Sequence, residues 1–306
     1  MPTICIIGLG YIGLPTAVIF AIHGFKVIGV DLNKSVVDKI NKGESHISEP
    51  ELEDRLEFVI KNGSFSAQLK PTFADIYIIA VPTPHYLDEN KNYHPDTSRV
   101  YEAVGDICPY LKEENLIIIE STSPIGTTEE IAKLTYKKTN LNDQKLHIAY
   151  CPERVLPGNI INELMNNDRV IGGFTKKASE KAKTLYSKIC KGDLFLTNSR
   201  TAEMAKLSEN AFRDVNIAFA NELSVICDEI DIDVKDLIKL TNRHPRVNIL
   251  KPGCGVGGHC IAIDPWFIAS QFPDKSNLIQ TARKVNSDKT NFVFKKIKKI
   301  TDSFQD

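Results

Sequence analysis

In Lys251-Pro-Gly-Cys-Gly-Val-Gly-Gly-His-Cys-Ile-Ala-Ile-Asp-Pro-Trp-Phe267 a cysteine follows a glycine-rich turn, and an aspartate comes four residues later. A thiol beside flexible backbone can meet a substrate carbon at close range, because glycines put no Cβ in the way. Asp264-Pro265 reads as a helix start, with Asp at the N-cap and Pro at the first helical position. Cys260 would then lie just outside a helix N-terminus. Backbone N–H groups there favour a thiolate and can stabilise an oxyanion. The plain alternative is an ordinary glycine turn around a buried thiol. His259 adjoins Cys260, but sequence neighbours usually point apart, so it is not expected to activate the sulfur.

The other end of the chain carries a second chemistry. The apolar run Ile4–Ile7 reads as a buried parallel strand. Gly8-Leu-Gly10-Tyr-Ile-Gly13 follows at once, then a helical pattern from Leu14 to His23, then a strand Lys26–Val30 ending in Asp31. Strand, glycine turn, helix, strand and acid form the context a dinucleotide fingerprint requires. Gly8 permits the tight turn, Gly10 the approach of backbone to pyrophosphate, and Gly13 close packing of helix on strand. Tyr11 and Ile12 lie within the turn and count among the cofactor-contacting residues. The pyrophosphate would rest on the helix N-terminus. Asp31 would accept from a ribose diol and repel a 2′-phosphate, which favours NAD over NADP.

These two motifs need a scaffold to position them. Strand patterns recur at Ile76–Val81, Leu116–Glu120, His147–Tyr150 and Arg169–Gly172, with helical patterns between most of them. That alternation predicts a Rossmann-type, doubly wound parallel sheet. Ligands bind beyond the carboxyl ends of such strands. Val81-Pro-Thr-Pro84, Ser121-Thr-Ser-Pro-Ile-Gly-Thr127 and Cys151-Pro-Glu-Arg-Val-Leu-Pro-Gly158 fall there and suggest a cleft. The sheet pattern stops near Asn198. Ser199 is expected to cap a long helix to Glu229, with Glu203 adding to that start; Lys206 and Asn210 share one face of it. Helices at Val234–Thr241, from Pro265 and from Asn277 complete the chain. This predicts an α/β domain over residues 1–198 and an all-helical domain over 199–306.

Composition excludes several classes. At 306 residues the chain can hold two domains. A net charge of −1 gives no sign of a nucleic-acid binder. No apolar run is long enough for a membrane span, and no basic region precedes the first apolar run, so neither membrane attachment nor a signal peptide is expected. Seven cysteines without a C-x-x-C pair suggest reduced thiols and a cytoplasmic setting. The histidines lack metal-ligand spacing, and no metal is expected.

The two glycine motifs, the three cleft segments and the Lys206/Asn210 pair together resemble the UDP-glucose/GDP-mannose dehydrogenase family. Further blocks are Asn167-Asp-Arg-Val-Ile-Gly-Gly173 and Asn242-Arg-His-Pro-Arg-Val-Asn-Ile249. The resemblance spans essentially the whole chain. UDP-N-acetylglucosamine members tend to read Pro at Ala262 and Phe at Trp266. UDP-glucose members tend to carry Glu at Pro157.

The resemblance implies a four-electron, NAD-dependent oxidation of a sugar C6 alcohol to a carboxylate through a Cys260 thiohemiacetal and thioester. UDP-N-acetyl-D-mannosamine is the implied substrate; UDP-N-acetylglucosamine and UDP-glucose are the alternatives. Asp264 would serve as base through water with Thr122, and Lys206 and Asn210 would stabilise the oxyanion. Glu153 would activate water or position the sugar, beside Arg154, Val155 and Gly257. Thr83 and Thr122 would touch the nicotinamide half of NAD. Arg246, or else Arg243, would reach a neighbouring subunit's substrate, and the helix 199–229 would form a homodimer. Family members continue into a further UDP-holding domain. A chain ending at Asp306 is expected to lack it, and a catalytically incomplete NAD-binding dimerisation fragment is the competing expectation. A two-electron hydroxyacid or polyol dehydrogenase is a third, and would not need Cys260.

Overall fold

The computed structural model describes residues 1–89, 93–258 and 260–303. His259 lies outside the described residues, as therefore does the expectation about its ring. Two compact units are distinct. One comprises residues 1–83 and 96–206, the other residues 84–95 and 207–306. They divide within a long helix, after Lys206, where the sequence pattern put the boundary at 198.

The strands in chain order are β1 (Thr3–Ile7), β2 (Lys26–Val30), β3 (Phe65–Gln68), β4 (Ile76–Ile79), β5 (His85–Leu87), β6 (Tyr93–Pro95), β7 (Leu116–Ile119), β8 (His147–Tyr150), β9 (Arg169–Gly173) and β10 (Leu194–Asn198). The helices are α1 (Gly13–Ile22), α2 (Lys34–Asn41), α3 (Leu52–Lys61), α4 (Ser98–Ile107), α5 (Thr127–Thr139), α6 (Ile160–Asn166), α7 (Lys176–Tyr186), α8 (Ser199–Glu229), α9 (Val234–Thr241), α10 (Asp264–Gln271) and α11 (Asn277–Asp302).

The first unit is built on an eight-stranded sheet in the order β10-β9-β8-β7-β4-β1-β2-β3. Side chains alternate across a strand, so Ile4, Ile6, Ile78 and Ile118 enter one apolar layer under α1, α3 and α7. Cys5, Tyr77, Ile79, Ile117 and Ile119 enter the other, under α4 and α5. Both faces are covered, which is why these strands read as unbroken apolar runs. The edge strands β3 and β10 escaped the sequence reading, because partly exposed edges carry no such run.

The sheet is not wholly parallel as expected, since β9 runs antiparallel to β8. The cause is local. Glu49 accepts from the backbone N–H of Gly158 (2.8 Å) and Ile160 (2.6 Å) and so holds the start of α6. The guanidinium of Arg169 reaches back to Glu153 (2.8 Å) and to the carbonyl of Leu164 (3.1 Å). The chain therefore enters β9 beside the point where it left β8.

The second unit contains α9, α10, α11, most of α8, and a hairpin of β5 and β6 that an all-helical reading did not include. A buried polar chain binds α8 to α11. Asp214 accepts from Arg283 (2.6 Å) and Asn286 (2.7 Å), and Asn286 accepts from Asn221 (2.8 Å). No described helix is long and apolar enough to cross a membrane.

Two capping expectations are corrected. The side chain that caps α8 is that of Asn198, which accepts from Thr201 N (2.9 Å), rather than that of Ser199. Glu203 does not add to that start. Its buried carboxylate accepts from Gly126 N (2.6 Å), Thr128 N (2.8 Å) and Thr128 Oγ1 (2.6 Å), capping α5 instead. An α-helix interior leaves a side chain free to satisfy the orphan donors of a neighbouring helix.

Candidate active site

In the first unit, β1 passes through the glycine turn into α1. Gly8 has φ +94°, and a Cβ there would lie 2.7 Å from the carbonyl oxygen of Ala80. A Cβ at Gly13 would lie 1.8 Å from the oxygen of Gly8. Both are therefore required by the fold itself. Gly10 differs: its Cβ would meet nothing within 4 Å. That open space lies beside a helix start that no side chain caps, and leaves room for a phosphate pair. Tyr11 is exposed at the turn and Ile12 is the N-cap residue.

Asp31 stands at the end of β2. Its carboxylate accepts from Leu9 N (3.1 Å) and Asn33 N (2.9 Å), bracing the turn and keeping lone pairs for a ribose diol. The residues present fit a dinucleotide with free ribose hydroxyls. Gly10→Ala is expected to melt with the parent protein yet bind NAD⁺ at least about ten-fold more weakly. Thermal melting and fluorescence titration check this; an equal loss of stability would assign Gly10 to packing.

The strands β4, β7 and β8 are parallel to one another, so their carboxyl ends share one edge. Half-buried Thr83 follows β4 and half-buried Thr122 follows β7. Thr122 is held between fixed neighbours: Ser121 donates to Val81 O (2.7 Å) and Ser123 to Ser121 O (2.9 Å). After β8 comes buried Glu153, whose carboxylate accepts from Arg169 Nη1 (2.8 Å) and Arg154 N (2.9 Å). Its carbonyl accepts from Lys206 Nζ (2.7 Å). Arg154 directs its guanidinium to the carbonyl of Asp168, and Val155 packs against the apolar core. Of these three neighbours, Glu153 alone carries a carboxylate.

Behind Glu153 lies a group the sequence reading missed. Glu120, Tyr186 and Arg169 are buried together with Cys151. Tyr186 Oη donates to Glu120 Oε1 (2.6 Å), and the Arg169 guanidinium lies 4.6 Å over the Tyr186 ring. Burial, reinforced by Glu153, raises the Glu120 carboxyl to about 7 against the opposing pull of Arg169 and Tyr186. Burial pushes the Cys151 thiol up to about 12, so it stays neutral. The available signal was a carboxylate closing an otherwise apolar strand, Leu116–Glu120.

In the second unit, the cysteine loop leads into α10. The carbonyl of Cys260 accepts from Ile263 N (3.0 Å) and Asp264 N (2.9 Å), and its thiol is exposed. The thiol thus sits one turn before the helix and is not the buried sulfur of an ordinary glycine turn. Asp264 is the first residue of α10, not its N-cap, which is Ile263. Its buried carboxylate accepts instead from Asn210 Nδ2 at 2.5 Å. The long-range partner outcompetes the local cap.

The loop is tethered to the buried polar chain through Asn221, which accepts from Gly253 N (2.9 Å). A Cβ at Gly257 would meet nothing within 4 Å, which leaves room beside the thiol loop. Trp266 stacks on Tyr93 of the hairpin, 4.5 Å between ring centroids. Arg243 and Arg246 are exposed on a segment braced by Asn242, which pairs with both Ile249 N (2.7 Å) and Ile249 O (3.0 Å).

Known proteins carry the same architecture. A UDP-N-acetyl-D-mannosamine dehydrogenase of Campylobacter jejuni is 55% identical over 304 residues, covering 97% of this chain and 74% of the relative. An NDP-N-acetyl-D-galactosaminuronic acid dehydrogenase of Ralstonia nicotianae is 49% identical over 312 residues, covering 99% of this chain and 73% of the relative. The solved structure of a UDP-D-ManNAc dehydrogenase from Pyrococcus horikoshii superposes with a TM-score of 0.91 at 42% identity, over 98% of this chain and 72% of that one. The family model for the NAD-binding domain matches residues 2–190 and that for the central domain residues 200–288, so the chain belongs to the UDP-glucose/GDP-mannose dehydrogenase family.

Proposed function

We propose that this protein oxidises the C6 alcohol of UDP-N-acetyl-D-mannosamine to the carboxylate, using two NAD⁺. The observation that carries the reading is an exposed Cys260 thiol four residues before a buried Asp264 held by Asn210, in a chain 55% identical to an enzyme named for that substrate. When bound, NAD⁺ accepts the hydride in each oxidation. Asp264 takes the hydroxyl proton as the first hydride leaves C6 and an aldehyde forms. Cys260 adds to the aldehyde carbon, giving a thiohemiacetal; Lys206 and Asn210 stabilise the oxygen as charge develops. Loss of the second hydride and a proton leaves a thioester on Cys260. Glu153 activates the water that hydrolyses it, releasing the acid and the thiol. Thr83 and Thr122 border the nicotinamide half of the cofactor. The thiol must stay reduced, which fits a cytoplasmic setting.

The test counts NADH at completion with limiting UDP-N-acetylmannosamine. Two NADH per sugar is expected, with little from UDP-N-acetylglucosamine or UDP-glucose. A greater yield from another sugar would reassign the substrate. The relative named for an N-acetylgalactosaminuronic acid makes UDP-N-acetylgalactosamine a necessary comparison.

The same protein acts as a homodimer through α8. Phe212, Phe219 and Ile226 are exposed and spaced by seven residues, so they form a stripe along one side of the helix. Arg246 reaches the substrate of the partner in that assembly. Phe219→Glu is expected to elute at monomer size on gel filtration; unchanged elution at dimer size would remove α8 from the interface.

A further inference from the structure

The buried group at the carboxyl edge of β7 and β8 holds more charge than its role in packing requires. Glu120 and Glu153 are both buried carboxylates; buried Arg169 pairs with Glu153 at 2.8 Å, and its charge also acts on Glu120. Tyr186 completes the set: its hydroxyl donates to Glu120 Oε1 and its ring lies under Arg169. The other oxygen of Glu120 is buried and has no hydrogen-bond partner. A carboxylate needing only to fill space would be replaced without loss by an apolar residue, since a buried unsatisfied oxygen costs stability. The direction of β9 is what assembles this group. Running antiparallel, it starts with Arg169 at the edge where β8 ends, and α7 returns Tyr186 to the end of β7.

We propose that Glu120 is a positioning residue which, through Tyr186 and Arg169, sets the charge around Glu153 and thereby tunes it for the hydrolytic half of the reaction. This rests on the role assigned to Glu153 above. The groups facing Glu120 are Glu153, Arg169, Tyr186 and Cys151. Below about pH 7 Glu120 is neutral, and the Arg169 charge is given over to Glu153. Above it Glu120 is an anion that draws on the Arg169 charge and leaves less of it to Glu153. The rate of thioester hydrolysis then rises through the Glu120 titration.

The stability consequence has the opposite sign. A carboxyl raised in the folded state contributes stability that is fully present below its unfolded value, near 4.5, and is lost as pH rises through about 7. Glu120→Gln, which mimics the neutral form, removes that loss. It is expected to melt above the parent at about pH 8 and to show no such gain at about pH 5. In the same protein kcat at about pH 8 falls about ten-fold, less than the loss of a general base itself. The KM for the sugar and the Kd for NAD⁺ stay within about two-fold, and the limb of the kcat profile near neutrality disappears.

Tyr186→Phe keeps the ring under Arg169 but withdraws the donor that favours the carboxylate, so its limb moves to higher pH. It tests the proposal by itself should Glu120→Gln fail to fold. Limbs identical to the parent in these variants would overturn the proposal, as would a loss of kcat independent of pH. Glu153→Gln separates the two layers. If it turns over at the parent rate, the role of Glu153 falls and this proposal with it. If it is slow while Glu120→Gln and Tyr186→Phe are unaltered, only the role of Glu120 falls.

Discussion

Cys260→Ala is expected to turn over at least about 10³-fold more slowly than the parent and to release at most one NADH per UDP-sugar. The reason lies in the order of the bonds. The first hydride can leave an alcohol carbon without sulfur, but the aldehyde that results has no hydride ready to leave until a nucleophile adds to it. Cys260 supplies that addition and holds the carbon in place for the second transfer, which keeps the aldehyde from escaping. The exposed thiol sits on a loop tethered at Gly253, so alanine removes the sulfur and leaves the scaffold intact. Binding of NAD⁺ should be unchanged, since the glycine turn belongs to the other unit. Stopped-flow absorbance with limiting sugar distinguishes one NADH from two. Two NADH at an undiminished rate would end the covalent reading and favour a simple two-electron dehydrogenase acting twice.

Asp214→Ala is expected to lower stability by about 3–5 kcal/mol, because it leaves the buried Arg283 guanidinium without its partner. In a chain of this size that is a fall in melting temperature on the order of 10 °C. Burial outweighs Arg283 and holds the Asp214 carboxyl above the usual carboxylate range. A buried ion pair adds little net stability over an apolar pair of like size, and the cost lies in what its loss strands. Asp214 also orients Asn286, which orients Asn221, which accepts from Gly253 at the root of the cysteine loop. Turnover should consequently fall even at temperatures where the variant remains folded. Asp214→Leu with Arg283→Met removes both charges and should recover most of the lost melting temperature, as paired apolar replacements do. A parent-like melting curve for Asp214→Ala would show the network to be dispensable.

The dinucleotide turn was legible because its residue types and their spacing lie within one βαβ unit. Leu9 N reaches Asp31 and a Cβ at Gly13 would strike Gly8 O, both short-range relations, whereas the contact that bars a Cβ at Gly8 comes from Ala80, which only the fold brings near. The span of α8 and the entry of the cysteine loop into α10 were legible for the same reason, since helical periodicity and a proline near a helix start are short-range signals. Even there the details slipped by one residue: Asn198 rather than Ser199 caps α8, and Asp264 lies inside α10.

What only the tertiary structure decided are the partners of polar side chains far apart in the chain. Glu203 caps α5, from a residue 77 positions earlier, and not its own helix. Asp264 turns to Asn210, 54 positions away. Glu120 meets Tyr186 across 66 positions because β9 reverses direction, a reversal that no periodicity encodes. A carboxylate in a sequence reads the same whether it will be solvated, capping or buried. Its chemistry is set by the dielectric and the donors that folding brings to it, and those follow from strand order and direction.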